Sequence, residues 1–145
     1  MPNAAVRTFS LILGFILLAA GLAGLMPGLL VAPRPDMPAG LLVPEGHGAL
    51  LGLMPVNIVR DALHLVLGLW GVRSWLSTRH AVIYARAMAA LAGVLAVMGL
   101  LPGPDTLFGV APLYGNNVWM HTAIFVSAGF FGFLALKQRV IPLRR

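Results

Sequence analysis

Apolar residues fill four long runs along the chain, separated by short polar or proline-rich segments. The runs cover approximately residues 8–31, 55–75, 81–101 and 113–136. Each is close to the roughly 20 helical residues that cross a hydrocarbon core of about 30 Å. Helices are favoured because a single hairpin of strands would leave unsatisfied edges in lipid. The pattern therefore predicts an all-α integral membrane four-helix bundle, with residues 1–145 forming one domain.

The composition agrees with a lipid environment. Hydrophobic residues make up 59% of the chain and charged residues 10%, whereas about a quarter of a soluble domain is charged. The formal net charge of +6 does not indicate nucleic acid, because the basic residues flank apolar runs instead of forming a stripe. Cysteine is absent from the sequence, which excludes disulfides, thiolate metal sites and cysteine nucleophiles.

Basic residues are divided unequally between the two sides of the four-span arrangement. One side carries Arg7, Arg73, Arg79, Arg86, Lys137, Arg139, Arg144 and Arg145. The other side carries Arg34 and Arg60 together with the four acids, Asp36, Glu45, Asp61 and Asp105. Lysine and arginine in short loops stay cytoplasmic, so both termini are predicted to be cytoplasmic.

The first half of the chain is repeated in the second half. Residues 24–28 match residues 99–103, and residues 51–56 match residues 108–113. His64 lies nine residues after Pro55, as His121 lies nine after Pro112. The first and third spans run in the same direction, which predicts two parallel-repeat helical hairpins with both histidines at one depth.

Two further pairs extend the repeat. Arg7 is followed seven residues later by Gly14, as Arg86 is by Gly93.

The two outer loops differ in length. Residues 32–54 form a long proline-rich segment that we expect along the membrane surface, whereas the second loop is short.

Small residues at helical spacing predict close packing of the spans. The glycines assigned to helix packing are Gly24, Gly28, Gly68, Gly71 and Gly93. Packing within the chain is the favoured interpretation, and a face for a partner subunit or for self-association is the alternative.

A polar cluster is predicted inside the spans, consisting of Asn57, Arg60, Asp61, His64, Asn117 and His121. Ionisable groups at this depth cost at least a few kcal/mol and therefore face protein or water. Asp61 and His64, one turn apart, are expected to share a hydrogen bond, and Arg60 to snorkel towards the outer interface. Glu45 and His47 in the loop are expected to be solvated, with no metal site.

Three interpretations of this cluster stay open. In the favoured one, Asp61, His64, Asn117 and His121 satisfy each other across the bundle and fix the register of the helices. In the second, His64 and His121 hold a haem b, with Gly68 leaving room for the porphyrin. In the third, Asp61 and His64 form a titrating site for protons or a small solute.

Three segments resemble one known family. The first span ends in Gly-x-x-Pro-Gly at residues 24–28, and the second contains Asn57, His64, Gly68 and Gly71. Residues 112–121 read Pro-Leu-x-Gly-x-Asn-x-Trp-x-His. Together they resemble a bacterial four-span membrane family described only as a domain of unknown function (DUF4383-like). The resemblance implies the fold and a place in the bacterial inner (cytoplasmic) membrane, and it implies no established activity.

The sequence contains no complete catalytic set, neither a phosphate-binding loop nor a nucleophile elbow nor a metalloprotease helix. We therefore expect a non-enzymatic accessory or assembly subunit without a cofactor. It would pack in the lipid bilayer against a larger respiratory or photosynthetic complex.

Overall fold

The structure, a computed structural model, describes residues 2–32 and 41–134. Six of the charged residues on which the predicted orientation depends lie outside these ranges: Arg34, Asp36, Lys137, Arg139, Arg144 and Arg145. In the described part, the chain is mostly helical and contains one small β-sheet.

Four helices fall on the four apolar runs: α1 (Pro2–Gly24), α2 (Ile58–Ser74), α3 (Thr78–Met98) and α4 (Asn116–Gly129). A π-helical segment, Phe130–Leu134, continues α4. α1 ends at Gly24, well before residue 31, because Pro27 opens a separate 3₁₀ turn. α2 begins at Ile58, since Asn57 is its N-cap.

Two of these helices have the length and apolar composition of a membrane span, namely α3 and the Asn3–Gly24 part of α1. Such helices also occur in soluble cores and in signal sequences. α2 contains 17 residues, and α4 contains 14 before the five-residue π-helical segment that continues it, which is near the lower end of the about 17–25 residues of a helical crossing. The mostly helical class is thus confirmed, and two helices are consistent with a membrane protein.

A three-stranded antiparallel sheet corrects the expectation of a purely helical fold. Its strands are β1 (Leu30–Val31), β2 (Gly48–Leu50) and β3 (Met54–Val56). The end of the first predicted span and the start of the second are therefore strands, which supply backbone hydrogen bonds to the outer loop. Pro55 is tolerated because β3 is an edge strand.

The helices form two hairpins. α1 and α2 are antiparallel, since Gly14 lies against Val72 while Gly21, further along α1, lies against Asp61. α3 and α4 form the second hairpin.

The hairpins meet along α1 and α3, which run in the same direction. Val6 packs in a cluster with Ala81, and Leu17, further along α1, packs in a cluster with Ala92 of α3.

Most of the glycines assigned to packing lie in tight contacts. A Cβ atom added to any of four glycines would come too close to a neighbour: Asp61 for Gly24, Leu18 for Gly68, Tyr84 for Gly71 and Phe125 for Gly93. Gly28 requires a correction. It lies in the 3₁₀ turn after α1, and an added Cβ would have no atom of the described residues within 4 Å, so it does not pack against any of the four helices.

Candidate functional site

Asn57 connects the outer end of α2 to both outer loops. Its Oδ1 accepts a hydrogen bond from the backbone N–H of Arg60 at 3.0 Å, which makes it the N-cap. Its Nδ2 donates to the carbonyl oxygens of Val43 at 3.0 Å and Val110 at 2.8 Å. Val43 precedes α2 and Val110 precedes α4, so one fully buried amide joins the two hairpins.

Asn117 makes a similar connection from the start of α4. Its Nδ2 donates to the carbonyl oxygens of Pro55 at 2.8 Å and Pro112 at 3.0 Å. Its Oδ1 is buried and has no partner among the described residues. The two asparagines therefore bind backbone carbonyls, whereas the sequence predicted that Asn117 would pair with other polar side chains of the cluster.

Arg60 points into the protein. Its side chain is 5% exposed, and its Nη1 lies 3.5 Å from Oδ1 of Asp61. Nη2 donates to the sulfur of Met120 at 3.7 Å, and Nε is buried without a partner in the described part of the chain. The predicted snorkelling is therefore wrong, because the guanidinium lies against Asp61 and α4 instead of reaching water.

Asp61 faces α1. Its carboxyl group fills the space that a side chain on Gly24 would need, and Oδ2 has no hydrogen-bond partner within the described ranges. The hydrogen bond predicted between Asp61 and His64 does not form. The imidazole of His64 lines a cavity elsewhere in the bundle, while the carboxyl group of Asp61 is held between α2 and α1.

The two predicted histidines line the same cavity, which has a volume of about 260 Å³. His64 and His121 are each 6% exposed, and the Nδ1 atom of each is buried without a partner among the described residues. Arg60 is the third polar residue of the lining, and the remaining lining residues are apolar. The structure thus brings together residues 60, 64 and 121 of the predicted cluster.

The cavity reaches the outer surface of the bundle between α2 and α3. Leu63 of α2 and Leu91 of α3 belong to its lining, and they are 47% and 39% exposed. A molecule in the cavity would therefore have a path to the side of the bundle, past two leucines.

The cavity does not suit a haem. The space expected beside Gly68 is occupied by α1, since an added Cβ would lie 2.7 Å from Cγ of Leu18 and 2.8 Å from the carbonyl oxygen of Gly14. The volume of about 260 Å³ is close to the smallest small-molecule sites, which range from about 300 to 1,000 Å³. A group with one ring fits such a volume better than a porphyrin.

A contact between the two outer segments is not indicated by any sequence pattern. Nε2 of His47 lies 3.2 Å from the hydroxyl oxygen of Tyr114. Burial lowers the pKa of His47 below its usual value. The contact joins residues 67 positions apart, and nothing in the hydrophobic pattern of either segment could have predicted it.

Tyr84 is a second buried polar residue outside the predicted cluster. It is fully buried in α3, its hydroxyl has no partner within the described ranges, and its ring packs edge-on against Trp70 at 5.2 Å between centroids. The facing glycine, Gly71, is the sequence signal that could have indicated a large side chain opposite.

No three His, Cys, Asp or Glu side chains lie close enough to hold a metal ion in residues 2–32 and 41–134. Glu45 is exposed, and His47 contacts Tyr114.

Comparison with known proteins gives one match. A family model described as "Domain of unknown function (DUF4383)" matches residues 7–134, which confirms the resemblance seen in the sequence. Neither a curated protein nor a solved structure matches the chain.

Proposed function

The chain belongs to the DUF4383 family, and we propose that it is a non-enzymatic membrane protein that holds a small ligand between its two helical hairpins. One observation carries this proposal. Arg60, His64 and His121 line one otherwise apolar cavity, and no hydrogen bond joins either imidazole to another described residue. Each buried polar group without a partner costs about 1–3 kcal/mol, so a ligand that accepts or donates hydrogen bonds would stabilise the site.

The distribution of side chains supports a membrane location. Outward-facing residues in the middle of the helices are mainly apolar, for example Phe15, Val66 and Val94, which are 57%, 64% and 58% exposed, whereas Asn57 and Asp61 are fully buried. Soluble monomers rarely expose apolar patches larger than a few hundred Å². In lipid, the apolar faces are in their preferred solvent and the polar groups turn inward.

The charges support four crossings with cytoplasmic ends in the bacterial inner membrane. Arg7 contacts Trp75, and so it lies at the same end of the bundle as Arg73 and the connection to α3. Basic residues near span ends stay cytoplasmic. Reporter fusions after residue 76 and at the carboxyl terminus test this orientation. Both are expected to report the cytoplasm, and a carboxyl terminus outside the cell would contradict it.

Native mass spectrometry of the protein, purified from its own membranes in mild detergent, tests the ligand. We expect a small molecule bound at one per chain. Ala92→Leu should remove it because Ala92 lines the cavity and is 2% exposed. Ala62→Leu is the matched control, since Ala62 is an exposed residue of α2. The proposal would be contradicted if the wild-type protein carried no ligand, or if both variants, Ala92→Leu included, retained it.

An accessory role in a larger respiratory or photosynthetic complex is a second proposal, compatible with the first. The connection between α2 and α3 is short and the exposed faces of the helices are mainly apolar, so contacts with another integral membrane protein would be made mainly inside the bilayer. Gentle purification followed by identification of co-migrating subunits tests this role. Recovery of the protein as a lone monomer would contradict it.

A further inference from the structure

The donors around the cavity define the chemistry of its occupant. The guanidinium of Arg60 has five N–H donors, and its contacts within the described residues are one carboxylate oxygen at 3.5 Å and one sulfur at 3.7 Å. A neutral imidazole adds one N–H donor from each of His64 and His121. The polar side of the cavity therefore offers several donors, which fit a ligand with oxygen acceptors.

The charge balance favours a neutral ligand. Arg60 is the one charged residue of the lining, and Asp61 already lies beside it. A carboxylate or phosphate would add a second negative charge to an apolar site, and an uncompensated buried charge costs several kcal/mol. A carbonyl oxygen accepts the same hydrogen bonds without that charge.

Shape and access restrict the ligand further. The volume of about 260 Å³ suits a head group of one ring. Leucine and alanine side chains line most of the rest, and Leu63 and Leu91 flank the opening at the bundle surface. An apolar tail attached to the ring could leave through this opening and remain in the lipid.

From these observations, and resting on the ligand-binding role proposed above, we propose that the cavity binds a lipid-soluble quinone. Its ring lies among the apolar side chains, and its carbonyl oxygens accept hydrogen bonds from His64, His121 and Arg60. The proposal concerns binding and includes no electron transfer.

Equilibrium binding to the full chain in lipid nanodiscs tests the ligand class with three probes. Decyl-ubiquinone has the ring, the carbonyls and a tail, palmitate has a charged head group, and decylbenzene has a ring and a tail without oxygen. We expect decyl-ubiquinone to bind at least about tenfold more tightly than decylbenzene, the ratio that about one hydrogen bond supplies.

Two substitutions at His121 test the donor. His121→Phe keeps a ring but removes its N–H, and should weaken quinone binding about tenfold, whereas His121→Gln retains an N–H donor and should weaken it less. If His121→Phe does not fold, Ala92→Leu provides the test, since it fills the cavity without changing a donor and should abolish binding. Ala62→Leu should bind as the wild type does.

The other outcomes separate this inference from the proposed function. If palmitate binds more tightly than the quinone and Ala92→Leu abolishes palmitate binding, the quinone proposal is overturned. The proposal of a ligand-binding cavity would still stand. Equal binding of quinone and decylbenzene, unaffected by either His121 substitution, would also overturn it. If no probe binds and the native protein carries no small molecule, the ligand-binding function fails as well.

Discussion

Arg7 and Arg86 occupy equivalent positions in the two hairpins and make the same two contacts. Nε of Arg7 donates to the carbonyl oxygen of Trp75 at 2.7 Å, and its guanidinium lies 5.4 Å from the centre of the Trp75 ring. Nε of Arg86 donates to the carbonyl oxygen of Gly132 at 2.9 Å, and its guanidinium lies 5.0 Å from the ring centre of Phe133. In each hairpin, an arginine on the first helix thus binds the far end of the second.

Substitution of either arginine should therefore have the same effect. Arg7→Met and Arg86→Met each remove a hydrogen bond to a backbone carbonyl and a cation–π contact with an aromatic ring. Each substitution should therefore lower the free energy of unfolding by about 1 kcal/mol. Thermal unfolding in mild detergent measures the change. Arg7→Lys and Arg86→Lys are the controls that keep the charge while losing Nε. A large loss in one hairpin and none in the other would contradict the equivalence.

Asn57 should contribute more to stability than an exposed asparagine nearby. Asn57→Ala removes an N-cap and leaves two carbonyl oxygens without a donor, which should cost about 1 kcal/mol or more for each lost contact. Asn116 donates a single hydrogen bond, at an exposed site, to the carbonyl of Leu53, so Asn116→Ala should change stability by about 0.5 kcal/mol or less. Similar losses in the two variants, measured by thermal unfolding, would argue against the bridging role.

The internal repeat could be predicted from sequence, and it extends to the backbone. Leu51 and Phe108 both have a positive φ, 52° and 55°, and each is followed by a glycine with a positive φ, Gly52 at 71° and Gly109 at 88°. The matched segments therefore share an unusual turn, in which the second residue is glycine because other residues rarely adopt that conformation. Matching residue types predicted this equivalence, since the turn depends on local sequence.

The sheet and the ends of the helices could not be predicted. Leu30 and Leu50 pair across β1 and β2, but both are apolar and would suit a helix equally well. Hydropathy reports how apolar a segment is and does not identify the partner of a backbone N–H group. For that reason hydropathy predicts a first span that reaches residue 31, although Pro27 ends the helical geometry earlier.

The candidate site was predicted only as a set of positions. Helical spacing placed Asn57, Asp61 and His64 on one face of α2, and all three are buried. The spacing could not show that Asp61 turns to Gly24 while His64 lines the cavity. The length of the Arg60 side chain predicts that it reaches water at the interface, yet the buried carboxylate of Asp61 beside it holds the guanidinium inside the protein.

Gly24 and Gly28 provide a matched pair of substitutions four residues apart. Gly24→Ala places a Cβ into the carboxyl group of Asp61, so that helices α1 and α2 must separate or Asp61 must move. Overpacking of this kind costs about 1–3 kcal/mol. Gly28→Ala meets no atom of residues 2–32 and 41–134 within 4 Å and should leave stability nearly unchanged. Thermal unfolding of both variants checks the contact, and a harmless Gly24→Ala would show that Asp61 is not packed against α1.

His47 should make the outer end of the protein sensitive to acid. Burial lowers the pKa of His47 in the folded protein, whereas the unfolded chain keeps a value of about 6.5. Below about pH 6.5 the unfolded chain therefore binds more protons than the folded protein does. The contribution of His47 to the free energy of unfolding is complete above that pH and is lost as the pH falls below it. The thermal midpoint of the wild type should drop on going from about pH 8 to about pH 5.

His47→Gln retains a donor for the hydroxyl of Tyr114 without a group that takes up a proton in this range, so its midpoint should drop less. His80→Gln, at an exposed position, should behave as the wild type does, and an equal drop in His47→Gln and the wild type would show that His47 is not the acid-sensitive group.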